Sequence, residues 1–314
     1  MKVLLTGAFG NIGASCLKEL LRQKYLVRCL DLKIKRTTKV AARFKRQIEV
    51  TWGDVRDAET IREAVRNQDV IIHLAAILPP ESDENPKLAQ EVNVGGTQNL
   101  LEASQQLEKP PKFLFASTFD LFGRTQKQAP PRRVTDPVSV TDCYTEHKLA
   151  CEKMIMNSGL EWLIFRFADV PPIALRKAHP IMFEIALDNR IETFHPDDAG
   201  LAIVNALGCE EAWGKVLLVG GGAKCQVYFR EYVYKILSAM EIGPLPEEAF
   251  SKKEYCTDWL DTEESQRLLN YQRHSFDDIV QEISQLLGFR KYFVPFVRPF
   301  IRRSILKLSP YWRG

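Results

Sequence analysis

Lys2-Val3-Leu4-Leu5-Thr6-Gly7-Ala8-Phe9-Gly10-Asn11-Ile12-Gly13 sets a short apolar run directly ahead of three glycines, and from Ile12 to Leu21 apolar residues recur at helical spacing. This reads as a strand that turns sharply into a helix. The glycine spacing is G-x-x-G-x-x-G rather than the standard G-x-G-x-x-G, but it still lets the backbone turn tightly and approach a ligand. The helix N-terminus behind it offers free N–H groups and the positive end of a dipole, which suit a pyrophosphate. Gly7, Phe9, Gly10, Asn11, Ile12 and Gly13 are therefore candidate phosphate-side residues, with a plain tight turn as the competing reading.

Working outward, the same alternation continues: Leu26 to Leu30; Val50 to Trp52 and then Ile61 to Val65; Val70 to Leu74 and then Leu88 to Leu107; Phe113 to Ala116, a helix near Cys143 to Met156, and Trp162 to Phe167. Short, fully apolar strands between amphipathic helices imply a parallel sheet covered on both faces, with ligand at the carboxyl ends of the strands. The expected fold class is α/β, a Rossmann-type doubly wound parallel sheet with a small, mostly helical C-terminal substrate lobe. Residues 1–168 plus 197–224 form the expected nucleotide-binding domain and 169–196 plus 225–288 the lobe, with 289–314 as a basic aromatic tail. The proline-rich stretch Gly123 to Val140 is long for a connection and reads as a functional or mobile loop.

At 314 residues, 45% hydrophobic and 26% charged, the chain has the composition of a globular protein with a sizeable core. The seven cysteines are odd in number and scattered without a C-x-x-C pair, which argues against a disulfide framework and a zinc ribbon. No metal is expected, no signal peptide is apparent, and a reducing, cytoplasmic setting is expected. The net charge of +3 hides an asymmetry: residues 289–314 carry seven cations and no acid, leaving residues 1–288 at −4. A protein-wide nucleic-acid footprint is not supported. The tail mixes its cations with aromatics and has no apolar run long enough to span a bilayer. Three readings stay open for it: a peripheral membrane segment, packing on the body or a second subunit, or disorder. Pro295, Pro299 and Pro310 are expected to interrupt any long helix there.

Asp31 ends the second apolar run, where a carboxylate can accept hydrogen bonds from an adenosine ribose and repel a 2′-phosphate, favouring NAD over NADP. Lys33, Lys35 and Arg36 follow and soften that preference, so NADP stays open. Asp54, with Val55, follows the third strand; it either reaches the adenine amino group or caps the helix Ala58 to Val65.

Eight stretches in order, T-G-A-F-G-N-I-G at 6–13, Asp31, G-D-V at 53–55, H-L-A-A at 73–76, N-V-G-G-T at 93–97, S-T-F-D-L-F-G at 117–123, Y-T-E-H-K at 144–148 and H-P-D-D-A at 195–199, resemble the extended short-chain dehydrogenase/reductase family, in its NAD-dependent epimerase/dehydratase branch. The resemblance covers roughly residues 1–222. The residues speak for themselves at Tyr144 and Lys148: four apart on a helix they share a face, and a nearby ammonium favours the ionised phenol. Tyr144 would exchange the proton of an alcohol or ketone. The resemblance implies that Lys148 also holds the nicotinamide ribose, and Thr118 would hydrogen-bond the reacting oxygen with Ser117 as the fallback. It further implies that backbone at Leu74, Ala75 and Ala76 lies over the cofactor, and that Asn93 orders the region near the nicotinamide, unless Asn93 merely satisfies backbone. His73 and His195 read as structural, Cys143 carries no chemistry, and Asp197-Asp198 reads as a cap for the helix Ala199 to Leu207.

Sugar-nucleotide dehydratases of this family place Asp-Glu directly after the Thr, whereas Phe119-Asp120 stands here, so 4,6-dehydration is disfavoured. Asp120 acts either as an auxiliary acid or base or as a turn stabiliser. Only 32 residues separate Arg166 from Asp198, a short segment for clasping a nucleotide, and its apolar lining suits a compact or partly apolar substrate. The expected function is NAD(P)-dependent hydride transfer on an alcohol or ketone. The alternatives are a sugar-nucleotide epimerase without net redox and a non-catalytic nucleotide-binding protein. Relatives that pair through helices like those at 88–107 and 142–156 make a homodimer the expected assembly.

Overall fold

The structure, a computed structural model, describes residues 1–44 and 46–314. Its nine strands are β1 (Lys2–Thr6), β2 (Leu26–Asp31), β3 (Glu49–Trp52), β4 (Val70–His73), β5 (Lys112–Thr118), β6 (Trp162–Phe167), β7 (Arg190–Glu192), β8 (Val216–Val219) and β9 (Gln226–Tyr228). The helices through the sheet-forming part are α1 (Asn11–Arg22), α2 (Lys35–Ala41), α3 (Ala58–Val65), α4 (Glu81–Glu84), α5 (Pro86–Gln90), α6 (Gly96–Gln105), α7 (Cys143–Met156), α8 (Ile181–Glu184) and α9 (Pro196–Ala206). Beyond them come α10 (Phe229–Ala239), α11 (Glu263–Leu269), α12 (Phe276–Leu287) and α13 (Val294–Leu306).

Seven strands form one parallel sheet in the order β3-β2-β1-β4-β5-β6-β8, so the winding reverses between β1 and β4 and opens the crevice where such sheets bind ligand. The strands are apolar on both sides because both sides are covered. Val3 and Leu5 of β1 join the core under α1 and α9, while Leu4 faces the core under α3, α6 and α7. Val70, Ile72 and Leu114 follow the first pattern and Ile71, Phe113 and Phe115 the second. Burying each such side chain stabilises the fold by roughly 1.5–3 kcal/mol.

The expected helix over 88–107 is observed as α5 and α6 joined by a π-helical turn at Glu91–Gly95. The helix expected near Cys143 to Met156 is α7, and its start is fixed by a reciprocal cap in which Asp142 Oδ1 accepts from Thr145 N–H at 2.8 Å.

The C-terminal lobe has its own core, built on Phe183, Ile191, Phe229, Val233, Phe250, Phe276 and Ile283, and contains the short antiparallel β7–β9 pair as well as helices. Leu260, Leu269 and Tyr271 pack instead into the large core beside β8, so the 225–288 stretch serves both cores. The stretch 123–140 is docked: Arg132 is buried, its N–H donates to Trp259 O at 2.7 Å, and its guanidinium lies 3.3 Å from Asp258 and 3.2 Å from Asp136.

The tail corrects another expectation. Prolines do not stop α13, because Pro295 sits in its first turn, where no N–H is needed, and Pro299 is carried inside the helix. One face of α13 packs on the lobe through Ile305, Val294, Ile301 and Leu306. Arg298 Nε donates to Glu241 O at 2.8 Å and Ser309 Oγ to Ala249 O at 2.5 Å.

Candidate active site

The glycine loop is packed to the limit of backbone contact. Gly7 lies at φ +64°, and a Cβ there would stand 2.8 Å from Ala75 N; a Cβ on Gly13 would stand 2.1 Å from Gly7 O. Helix α1 starts at Gly10 without a side-chain cap and without an acidic residue in its first turn, so its first N–H groups face outward with no protein side chain satisfying them. That is a cradle fitted to an anion. Asp31, at the end of β2, accepts from Phe9 N–H and Leu32 N–H, both at 2.8 Å. Burial raises its pKa, and those two N–H groups and Arg36 pull it back down. The Phe9 ring is buried 5.5 Å from Trp52, and Asn11 Nδ2 donates to Val170 O at 2.9 Å, tying the start of α1 to the loop after β6. Ile12 packs partly buried on the core.

The crevice wall at 74–77 is braced from beneath. Thr6 Oγ1 accepts from Leu74 N–H and Ala75 N–H at 3.2 Å and lies 2.7 Å from His73 Nδ1. His73 Nε2 lies 3.1 Å from Thr97 Oγ1, which donates to Asn93 O at 2.6 Å. Burial pushes the His73 pKa down to about 3, so the ring is neutral and one tautomer connects every member of this chain. Asn93 does not serve its own helix. Its side chain accepts from Ile77 N–H at 2.7 Å and donates to Ile77 O at 2.9 Å, holding the segment that follows Ala76.

Asp54 does not cap α3. That cap is Asp57, which accepts from Glu59 N–H at 3.1 Å, because it stands immediately before the helix. Asp54 pairs with Arg56 at 2.7 Å, and Val55 is buried against Gly96, where a Cβ would clash with its side chain. The Asp197-Asp198 pair does not cap α9 either, since His195 Nδ1 accepts from Asp197 N–H at 3.1 Å. Asp197 instead accepts from Ser15 and Lys18 of α1, and buried Asp198 accepts from the backbone N–H groups of Arg273 and His274.

Thr118, Tyr144 and Lys148 are all buried at the carboxyl end of β5 and along one face of α7. Thr118 acts as a hydrogen-bonding neighbour of the Tyr144 phenol, and its Oγ1 donates to Asp120 Oδ2 at 2.9 Å. Lys148 Nζ donates to Ala116 O at 2.5 Å and lies 5.7 Å from the Tyr144 ring centre. The expected fall of the phenol pKa is not seen. Burial raises it, the Asp120 and Asp142 carboxylates raise it further, and only the Thr118 hydrogen bond opposes them. Burial also lowers the Lys148 ammonium to about 8 and raises the Asp120 carboxyl to about 7. Ser117 is engaged elsewhere: its Oγ donates to Glu152, which also takes a two-point pairing from Arg166 at 3.0 and 2.8 Å.

Two neighbours of this site were not legible in the sequence. Burial pushes the Cys256 thiol up to about 12 and also raises the Tyr255 phenol, with the Asp120 and Asp142 carboxylates contributing to both, so residues 255–256 lie near these two acids. They arrive there by tertiary packing, more than a hundred residues along the chain from their neighbours, and no local pattern announces them.

Known proteins resemble this chain in sequence and fold. A family model described as the NAD dependent epimerase/dehydratase family matches residues 3–170. A 3β-hydroxysteroid dehydrogenase/Δ5→4-isomerase of Mycobacterium tuberculosis is 31% identical over 169 residues, covering 52% of this chain and 44% of that protein. A UDP-glucose 4-epimerase of Lacticaseibacillus casei is 31% identical over 211 residues, covering 60% of this chain and 61% of that protein. The matched stretches thus span less than two thirds of these relatives. The solved UDP-glucuronic acid 4-epimerase of Bacillus cereus, in complex with UDP-glucuronic acid and NAD, shares the fold, with a TM-score of 0.78 at 20% identity over 92% of this chain and all of that one. With its glycine cradle, switch-point crevice and family match running through β6, this chain belongs to the NAD-dependent epimerase/dehydratase family of extended short-chain dehydrogenase/reductase enzymes.

Proposed function

We propose that the chain is an NAD-dependent oxidoreductase that moves hydride between the nicotinamide and a carbon bearing a hydroxyl or carbonyl, on a compact or partly apolar substrate. The observation that carries this reading is the burial of Thr118, Tyr144 and Lys148 together beside the crevice at the carboxyl edge of the sheet. The cradle at Gly7 to Gly13 and Asp31 would hold the dinucleotide, with the wall at Leu74, Ala75 and Ala76 over it and Asp54 toward the adenine. Bound NAD would supply the hydride acceptor or, in its reduced form, the hydride donor. In the reduction direction, Thr118 would orient the substrate carbonyl oxygen and Tyr144, whose phenol burial keeps protonated, would give that oxygen a proton as hydride adds to the carbon and the C=O π pair moves to oxygen; oxidation is the reverse. Lys148 would hold the ribose. Asp31 supports NAD over NADP, because a 2′-phosphate beside a carboxylate is repelled.

A second reading is a sugar-nucleotide epimerase using the same three residues without net cofactor turnover, supported by the fold likeness to the UDP-glucuronic acid 4-epimerase. Stoichiometric NADH formation with an alcohol substrate supports the first reading. Epimerised product with no NADH released overturns it in favour of the second. The lobe of 169–196 and 225–288 would take the substrate, and a homodimer through α6 and α7 completes the assembly. A cytoplasmic setting is supported by the seven unpaired cysteines.

A further inference from the structure

The tail presents two faces of opposite character. Its inner face is anchored on the lobe, while Phe289, Tyr292, Phe293, Phe296, Val297 and Phe300 stand outside, with Phe296 80% and Phe300 75% exposed. Large apolar side chains gathered in one exposed stripe mark an interaction surface. Arg290, Lys291, Arg303 and Lys307 are exposed around it and form no ion pair among the described residues. The shallow hollow between α12 and the turn before α13 is lined by Gln281, Ser284, Gln285, Lys291 and Tyr292, with no acid.

The geometry points to a peripheral docking surface for an anionic lipid bilayer, with α13 lying in the headgroup plane and its phenylalanines entering the acyl boundary. The helix is anchored along its length by Arg298, Ile301 and Ile305, so it meets a surface side-on, and at 13 residues it is about 20 Å long. No helix of the described residues is long and apolar enough to cross a membrane. Aromatic side chains beside Arg and Lys are the composition of interfacial helices, and each cation near an anionic leaflet strengthens binding about fivefold. A second copy fits less well, because a two-fold pairing of this stripe would set its unpaired cations against one another. The charge split supports a lipid surface too, since the tail is wholly cationic on a body of −4, which turns this face toward anions.

The test is co-sedimentation of the full chain with vesicles of phosphatidylcholine alone and of phosphatidylcholine mixed with phosphatidylglycerol. The wild type should bind the mixed vesicles at least about tenfold more tightly than the neutral ones, and added salt should weaken that preference. Phe296→Ser with Phe300→Ser should lower binding about tenfold or more at unchanged circular dichroism, both side chains being exposed. Arg303→Glu with Lys307→Glu should remove the preference for the anionic vesicles. Absence of wild-type binding to the mixed vesicles, or undiminished binding by the phenylalanine double variant, overturns the proposal. A lipid-free dimer that the same double variant dissolves in velocity sedimentation also overturns it, by assigning the stripe to self-association.

Discussion

Asp31 and Asp258 are both carboxylates that gather partners around themselves, and they do so in opposite ways. Asp31 is met by Phe9, Leu32 and Arg36, all within 22 residues, because one strand-turn-helix unit and the next strand bring them side by side. Asp258 is met by Thr125 at 2.6 Å, Arg190 at 2.6 Å and Arg132 at 3.3 Å, drawn from segments far apart in the chain. The first arrangement is fixed by local spacing and faces a crevice. The second is fixed only when the lobe, the 123–140 stretch and β7 have come together, and it is nearly closed to water. Local geometry thus sets the carboxylate at the crevice, and long-range charge the one inside the lobe.

The sharpest way to break this contrast is to remove chemistry without touching architecture. Tyr144→Phe should lower kcat by about 10²–10⁴-fold, with NAD affinity in calorimetry and thermal stability unchanged. Turnover near the wild-type rate would show that α7 positions no proton carrier.

The converse experiment is Asp258→Ala, which leaves Arg190 facing no carboxylate and buried Arg132 with Asp136 alone. It should cost about 3–5 kcal/mol in urea unfolding. A loss below about 1 kcal/mol, the range of exposed pairs, would mean that the lobe does not depend on this charge.

Asp31→Ala should weaken NAD about tenfold to a hundredfold, in line with a charged hydrogen bond, and NADP less. Equal losses for the two coenzymes would show that the carboxylate only braces Phe9.

The pH dependence of stability gives an independent check. The Asp120 carboxyl is raised by burial from its ordinary 3.8 to about 7, so between those values the folded chain keeps a proton that the unfolded chain releases. The stability it contributes is complete below the unfolded pKa and is lost as pH rises through about 7. Asp120→Asn should flatten that part of the slope in urea midpoints measured across pH. Parallel curves for variant and wild type would show that Asp120 is ionised throughout.

Much of the sheet was readable because each strand buries both faces and each helix only one, so the periodicity changes where the chain changes element. Trp162 to Phe167 coincides with β6 for that reason. Capping was misread at α9, where His195 took the place expected for Asp197-Asp198, while at α3 Asp57 holds the cap that was one of two readings for Asp54. The acidity of the Tyr144 phenol was misread because residue spacing reports the nearby amine and not the depth of burial, and burial prevails. Residues 255–256 and the Asp258 partners had no local signature at all. Pro299 stays within α13 although proline lacks the N–H to continue the ladder, since the opposite face of that helix is held by the lobe.

Gly200 of α9 comes so close to α1 that a Cβ there would lie 2.7 Å from the backbone at Ser15 and Cys16. A larger residue at 200 would push the two helices apart, and Asp197 ties them together at Ser15 and Lys18. α9 follows directly on the turn after β7, so one glycine contact joins the helix of the glycine loop to the segment that leads into the lobe.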